Sequence, residues 1–203
     1  MKYYIELTLL DNRDISLRKL WSKIYDQLHL RLVEARNVHG QKNIGVSFPE
    51  YQSNKTHNIH MLGRKLRVFA PISSVLEQIN LVQYLKPWLD YIHIASIREI
   101  PKNTHRYAIY KRKRINGYRA INKKIKRYAS YKAAQENITY EEAVLGYQHW
   151  KMTEITLPYL YISSATTEQC VRLYIERVEV SQSSTDISYS SYGLSIESTV
   201  PEF

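Results

Sequence analysis

The first 97 residues switch repeatedly between two hydrophobic periods, and that alternation limits the possible folds more than any other feature of the chain. Tyr3, Ile5, Leu7 and Leu9 recur at every second position, the period of a half-buried strand. Asn12 and Asp14 turn the chain, and Ser16 is placed to cap a helix. The apolar stripe of that helix is Leu17, Leu20, Trp21, Ile24, Leu28 and Leu32. Ile44 to Phe48 forms a second short strand closed by Pro49. A third runs where Leu66, Val68 and Ala70 alternate with Lys65, Arg67 and Phe69. Ser74 with Glu77 predicts a capping box opening a helix that continues to about Leu85, and Ile92 with Ile94 supplies a fourth strand.

That order, β-α-β-β-α-β, is the order of a ferredoxin-like unit, an antiparallel sheet backed by two helices. The expected class is therefore α+β, with a ferredoxin-like N-terminal domain over residues 1–97 and a C-terminal α/β region over 98–203. His29 follows Leu28 and lies at the edge of the first helix's stripe, one turn from Tyr25. A histidine there reaches the border between core and solvent.

The second region carries the charge. Between Ile100 and Gln135 there are twelve Lys or Arg residues and no Asp or Glu, against a formal net charge of +10 for all 203 residues. The remainder of the chain is close to neutral, so the positive field is local. Such a field holds a polyanion or lies on an anionic membrane. Interleaved Tyr107, Tyr110, Asn116, Tyr118, Asn122, Tyr128 and Tyr131, with no large apolar face opposite, favour nucleic acid. Arg112 and Arg114 are two apart in an extended stretch, which points both guanidinium groups the same way. From about Arg119 to Lys132 the pattern is helical. Lys123, Lys126 and Arg127 share a face with Arg119 one turn earlier, and Lys124 lies beside them. Thr139 and Glu142 form a further capping pair. Leu157 to Ile162 and Val171 to Val178 read as strands, the latter with Val171, Leu173 and Ile175 on one face. Ser181 to Ser191 reads as an ordered turn or a mobile loop, and Tyr192-Gly193-Leu194 as a final strand or a tight bend.

Several chemistries lack their residues. Cys170 is the single cysteine, which excludes an intrachain disulfide and fits a reducing compartment. The opening MKYYIELTLL has no cleavage signal, and no run of about 18 apolar residues exists, so the expected location is cytoplasmic. Of seven histidines only His57 and His60 are closely spaced, without the ligand set of zinc. No GxGxxG or GxxxxGK[ST] loop is present to cradle a nucleotide phosphate. No metal or cofactor is expected. A reaction on RNA remains feasible with few groups, because the ribose 2′-OH is its own nucleophile and needs only a base and donors for the phosphate. Histidine is the natural base, and spacing alone does not choose among the seven.

Leu28-His29, then Ile44-Gly45-Val46-Ser47-Phe48-Pro49, the basic segment, Leu157-Pro158-Tyr159 running to Arg172-Leu173-Tyr174-Ile175, and finally Tyr192-Gly193-Leu194-Ser195 resemble the CRISPR repeat-processing endoribonucleases of the I-F type. The resemblance spans nearly the whole chain. It implies a basic helix that enters the major groove of a repeat RNA hairpin. It also implies metal-free cleavage 3′ of the stem by 2′-OH attack, with 2′,3′-cyclic phosphate and 5′-OH ends, and retention of the guide RNA within a surveillance complex. By position it implies His29 as the catalytic histidine, Ser164 as the serine on the attacking sugar, with Ser163 adjacent, and Tyr192 as the tyrosine that organises the histidine. It implies Arg112 and Arg114 as the base-reading pair, the second replacing an amide, and Lys123 or Lys124, Lys126 and Arg127 on the RNA phosphates, to which the helical spacing adds Arg119. Val171 stands where the family places an aromatic that stacks under the stem, and the Ser-rich stretch is longer than usual.

Two other classes use the same surfaces. One is a non-cutting subunit that caps a guide RNA in a CRISPR effector or CRISPR-associated transposition complex. The other is a regulator that binds duplex DNA.

Overall fold

Each strongly periodic segment forms its element in the computed structural model. It describes residues 1–54, 56–115, 118–147, 149–150, 156–163 and 170–203, with the backbone alone at 118 and 119. Strand β1 (Tyr3–Leu9) is followed by helix α1 (Leu17–His39), where the Ser16 hydroxyl accepts from the Lys19 amide at 3.4 Å and Gly40 ends the helix in the left-handed region at φ 66°. Next come β2 (Gly45–Ser47), β3 (Gln52–Asn54), β4 (Ile59–Met61), β5 (Lys65–Ala70), α2 (Ser73–Ile79) and α3 (Leu81–Tyr84). After them lie β6 (Ile92–Ile94), β7 (Arg98–Glu99), β8 (Arg106–Lys113), α4 (Tyr118–Glu136), α5 (Tyr140–Leu145), β9 (Tyr159–Ser163), β10 (Cys170–Val180) and β11 (Val200–Glu202).

The architecture is α+β with antiparallel sheets. One sheet has the order β2-β5-β1-β6, with β7 also paired to β1; a second has the order β11-β8-β10-β9; and β3 and β4 form a separate hairpin. The chain divides into two compact units, Met1–Lys113 with Thr156–Phe203, and Arg114–Ile155. In the first unit both sheets share one hydrophobic core. Leu7, Leu28, Val46, Phe48 and Val68 come from the N-terminal half, and Leu160, Leu173, Ile175 and Leu194 from the C-terminal half. In the second unit α4 packs on α5, and Tyr128 of α4 meets Tyr147 and Trp150 of the segment after α5, the three ring centroids lying 5.0 to 6.3 Å apart.

Local signals fared differently according to where the backbone placed them. Thr139 and Glu142 form their capping box: the Thr139 hydroxyl accepts from the Glu142 amide at 3.2 Å, and the Glu142 carboxylate accepts from the Thr139 amide at 2.9 Å. The expected Ser74–Glu77 box does not form. Helix α2 starts at Ser73, so Ser74 lies inside the first turn, and Ile72 occupies the cap without a side-chain bond. The helix expected to continue to Leu85 is broken at Asn80, which adopts φ 45°, a conformation that asparagine tolerates. Tyr192-Gly193-Leu194 is a bend, and the closing strand is β11.

The last residues lock the two sheets together. Arg67 on β5 donates to Glu6 at 2.7 Å and to the Phe203 carbonyl, and its guanidinium lies 4.0 Å from the Phe203 ring centroid. Glu202 accepts from Tyr110 at 2.8 Å and from Arg177 at 2.7 Å. Burial alone would raise the Glu202 pKa, but the bonds from Arg177 and Tyr110 outweigh it and hold the carboxyl below its ordinary value. The contribution of this carboxylate is thus fully present above the ordinary carboxylate pKa and is lost as the pH falls through the depressed folded value. Glu202→Gln should destabilise the chain by about 1–3 kcal/mol at neutral pH, since it leaves Arg177 under-compensated. In urea titrations the gap between wild type and variant should narrow on acidification, and a gap independent of pH would remove Glu202 from this role.

Candidate active site

The stripe that buries Tyr25, Leu28 and Leu32 leaves His29 half-buried at its margin. Its Nδ1 lies 2.8 Å from the carbonyl oxygen of Ser191. A carbonyl only accepts, so Nδ1 carries the proton, and the neutral ring presents Nε2 as an unprotonated base. The Tyr192 ring stacks on the imidazole with centroids 4.2 Å apart and planes 7° from parallel. Tyr25, one turn before His29, donates its hydroxyl to the Tyr192 carbonyl at 2.8 Å. Burial, and after it the nearby Tyr192 phenol, push the Tyr25 pKa upward, which keeps this donor protonated. From β8, the Arg112 guanidinium lies 5.1 Å from the centroid of the Tyr192 ring.

The Ser-rich stretch that delivers Tyr192 is a hydrogen-bonded loop. The Tyr189 amide donates to the Lys42 carbonyl at 2.8 Å, and its hydroxyl to the Thr199 carbonyl at 2.6 Å. The Ser188 amide donates to Ser198 Oγ at 2.8 Å, and Ser198 Oγ donates back to the Ser188 carbonyl at 3.0 Å. These serines hold the loop closed; none of these bonds uses a residue of the His29–Tyr192 pair.

The structure thus brings His29, Tyr192 and Arg112 together. Ser164 lies outside the described residues. Its neighbour Ser163 ends β9, where its hydroxyl donates to Asp26 Oδ2 and its amide to Asp26 Oδ1, each at 3.0 Å. Asp26 was missed in the sequence. It precedes His29 by three on the same helix, a spacing that places the two on neighbouring positions of one face and marks it in retrospect. Val171, at the start of β10, is 38% exposed, so an aliphatic side chain stands open where the resemblance implies an aromatic.

The second unit carries the remaining cations. Arg114 follows β8 and is exposed. On α4 the positions of Arg119, Lys123, Lys126 and Arg127 fall within an arc of about 100° at 3.6 residues per turn, and the side chains of Lys123, Lys124, Lys126 and Arg127 are exposed. Ala129 is buried and Ile125 half-buried on the other side. Among the described residues none of these four cations forms an ion pair, whereas Lys132, off the stripe, pairs with Glu136 at 3.6 Å.

The family model for a CRISPR-associated protein, Cas_Csy4, matches residues 4–203. A CRISPR-associated endonuclease Cas6/Csy4 of Escherichia coli (strain UTI89 / UPEC) is 27% identical over 210 aligned positions, and one of Pseudomonas aeruginosa (strain UCBPP-PA14) is 24% identical over 208; both alignments cover all of both chains. A solved structure titled CRISPR associated protein Cas6 aligns over 99% of this chain and 98% of its own, with 11% identity and a TM-score of 0.36, too distant to place residues.

The imidazole geometry has a direct spectroscopic consequence. In the neutral ring, nitrogen-15 shifts of His29 should report a protonated Nδ1 and an unprotonated Nε2. The opposite tautomer would contradict the Ser191 contact.

Proposed function

The chain belongs to the Cas6/Csy4 family of CRISPR-associated endoribonucleases, and from that premise we propose that it cleaves CRISPR precursor RNA on the 3′ side of the repeat stem-loop with the RNA's own 2′-OH as nucleophile. The observation that carries this reading is the imidazole of His29, fixed by the Ser191 carbonyl and the Tyr192 ring with Nε2 as the free base.

In the proposed step Nε2 takes the proton of the 2′-OH at the junction while the oxygen attacks the adjacent phosphorus. The bond from phosphorus to the 5′ oxygen breaks, and that oxygen takes up a proton, leaving a 2′,3′-cyclic phosphate and a 5′-hydroxyl. Ser164 holds the attacking hydroxyl. Tyr192 keeps the ring from turning, so the base is aligned before substrate arrives, which is where a site with so few groups gains most of its rate. The Arg112 guanidinium, 5.1 Å from the Tyr192 ring centroid, adds positive charge near the junction and, with Arg114, reads guanine edges. The stripe of Arg119, Lys123, Lys126 and Arg127, with Lys124, holds stem phosphates. Since the cut lies outside the stem, most contacts survive it, and the product stays bound as the hairpin-end component of a surveillance complex. Residues 1–97, whose first sheet has the strand order of a ferredoxin-like unit, supply the base, and 98–203 supply the hairpin-binding surfaces.

Purified protein should cut a cognate repeat hairpin in EDTA. It should fail on the same RNA carrying a single 2′-deoxy sugar at the junction; cleavage of the deoxy substrate at the ordinary rate would reject the mechanism. His29→Ala should abolish cutting while hairpin affinity stays within a few-fold. Tight binding with no cleavage of any repeat by wild type would instead support the capping subunit, a reading favoured by the aliphatic Val171 at the foot of the stem. Lys126→Ala and Arg127→Ala should each weaken hairpin binding and reduce the slope of log affinity against log salt by about 1. An unchanged slope would take α4 off the phosphate surface.

A further inference from the structure

The outer face of the β9–β10 pair carries a second array that the cleavage step does not use. Direct cross-strand partners share a face, so the pairs Tyr159 with Tyr174, Tyr161 with Arg172, and Ser163 with Cys170 line one side of the sheet. Leu160, Ile162, Leu173 and Ile175 fill the other side and are buried in the core. On the outer side the Tyr159 and Tyr161 rings meet edge to face at 5.4 Å, and those of Tyr159 and Tyr174 lie 5.1 Å apart. Arg172 is exposed, donates to the Tyr174 hydroxyl at 3.3 Å and places its guanidinium 5.1 Å from the Tyr159 centroid. Arg18, from the first turn of α1, lies 5.2 Å from the same ring.

The chemistry of this face is selective. Among the described residues neither Arg18 nor Arg172 forms an ion pair, whereas Arg31 and Arg67, which also contact aromatic rings, each pair with a carboxylate. The neighbouring Tyr159 hydroxyl, and after it the Arg172 guanidinium, lower the pKa of the half-buried Tyr161 phenol. Aromatic faces and unpaired planar cations together suit unstacked bases joined by phosphates. A duplex hides its base faces, and a packed protein partner would require an apolar surface that this face lacks.

Its position names the strand it would take. The face runs to Ser163, the last described residue before Ser164, and Ser163 is bound to Asp26 on the helix that carries His29. RNA crossing this face is therefore contiguous with the cleavage junction, and because the face suits unstacked bases it takes the single-stranded flank and not the stem. We propose that Tyr159, Tyr161, Arg172 and Tyr174, with Arg18, bind the single-stranded RNA 3′ of the cut. This rests on the cleavage reading above. The array engages the flank of the precursor and loses it with the released fragment, so it distinguishes substrate from product.

Two RNAs test this, each blocked by a 2′-deoxy sugar at the junction: the hairpin ending just past the cut, and the same hairpin with roughly eight more single-stranded nucleotides. Fluorescence anisotropy should show the extension tightening wild-type binding by about fivefold or more, the least that one stacked base supplies. Arg172→Gln and, independently, Arg18→Ala should lose that gain, bind the short hairpin as wild type does and melt at the wild-type temperature. No gain from the extension, or equal weakening on both RNAs, would overturn the proposal. If wild type binds neither hairpin, the cleavage reading fails instead. The isolated single strand then decides: binding that Arg172→Gln removes supports the array, and its absence ends it.

Discussion

Everything at the candidate site depends on how closely two distant pieces of backbone approach. The amide of Val46 on β2 donates to the carbonyl of Gly193 at 3.0 Å, next to the residue that stacks on His29. A side chain at Gly193 would put its Cβ 2.6 Å from Val46, and φ there is 69°, in the region that disfavours other residues. At Gly45 a Cβ would sit 2.8 Å from Tyr189 and from Val200. The two short motifs of the chain, around Gly45 and around Gly193, are therefore the two sides of one contact. A side chain on either would push the loop outward. The Ser191 carbonyl and the Tyr192 ring, both reached through that loop, would then move off the imidazole together, because Tyr25 and His29 hold adjacent atoms of the same turn.

Much of the scaffold was legible because its signals are local. The stripe and cap of α1, the alternation of β1 and β5, and the Thr139 box depend only on neighbours within one turn or one strand, and the structure keeps them. The β3–β4 hairpin was not legible: its residues are mostly exposed, the apolar Ile59 and Met61 included, so burial imposes no period on them. Ser74 fails as a cap because the helix start is set by where the strand before it ends, a tertiary fact. The site is less legible still. The contact between His29 and Ser191 joins residues 162 positions apart, and no periodicity encodes such a pairing. Only the resemblance singled out His29 and Tyr192 in advance, and Asp26, which no motif marks, emerged from its bonds to Ser163 alone.

Two groups of arginines in the first unit differ in their partners. Arg64, Arg67 and Arg177 contact carboxylates and serve structure: Arg67 ties β5 to the C-terminus, and Arg177 anchors Glu202. Arg18, Arg112 and Arg172 lie on tyrosine rings with no carboxylate partner among the described residues. A guanidinium on a ring is desolvated on one face and oriented, yet its outward edge retains donors, so it meets a planar ligand without first ordering itself. Tyrosine suits this better than phenylalanine, since its hydroxyl hydrogen-bonds to the cation or to the next ring and keeps the array wettable. Of the chain's aromatic residues, 18 are Tyr and three Phe, and both arginine–tyrosine surfaces of the first unit draw on that excess.

The division between lysine and arginine carries the same logic into the second unit. Among the described residues three of the four exposed cations of α4, Lys123, Lys124 and Lys126, are lysines, and lysine is a compact charge that binds phosphate from any direction without fixing geometry. In the proposed role it would tolerate sequence variation in a stem, because phosphates are identical from one base pair to the next. Arginine is concentrated instead at positions 112 and 114 and on the outer tyrosine face, where the planar fork can align with a base edge or a base plane. On the proposed reading, affinity and selectivity would be supplied by different side chains. Weakening the lysines should loosen every RNA alike, while altering the tyrosine-backed arginines should change which RNA is preferred.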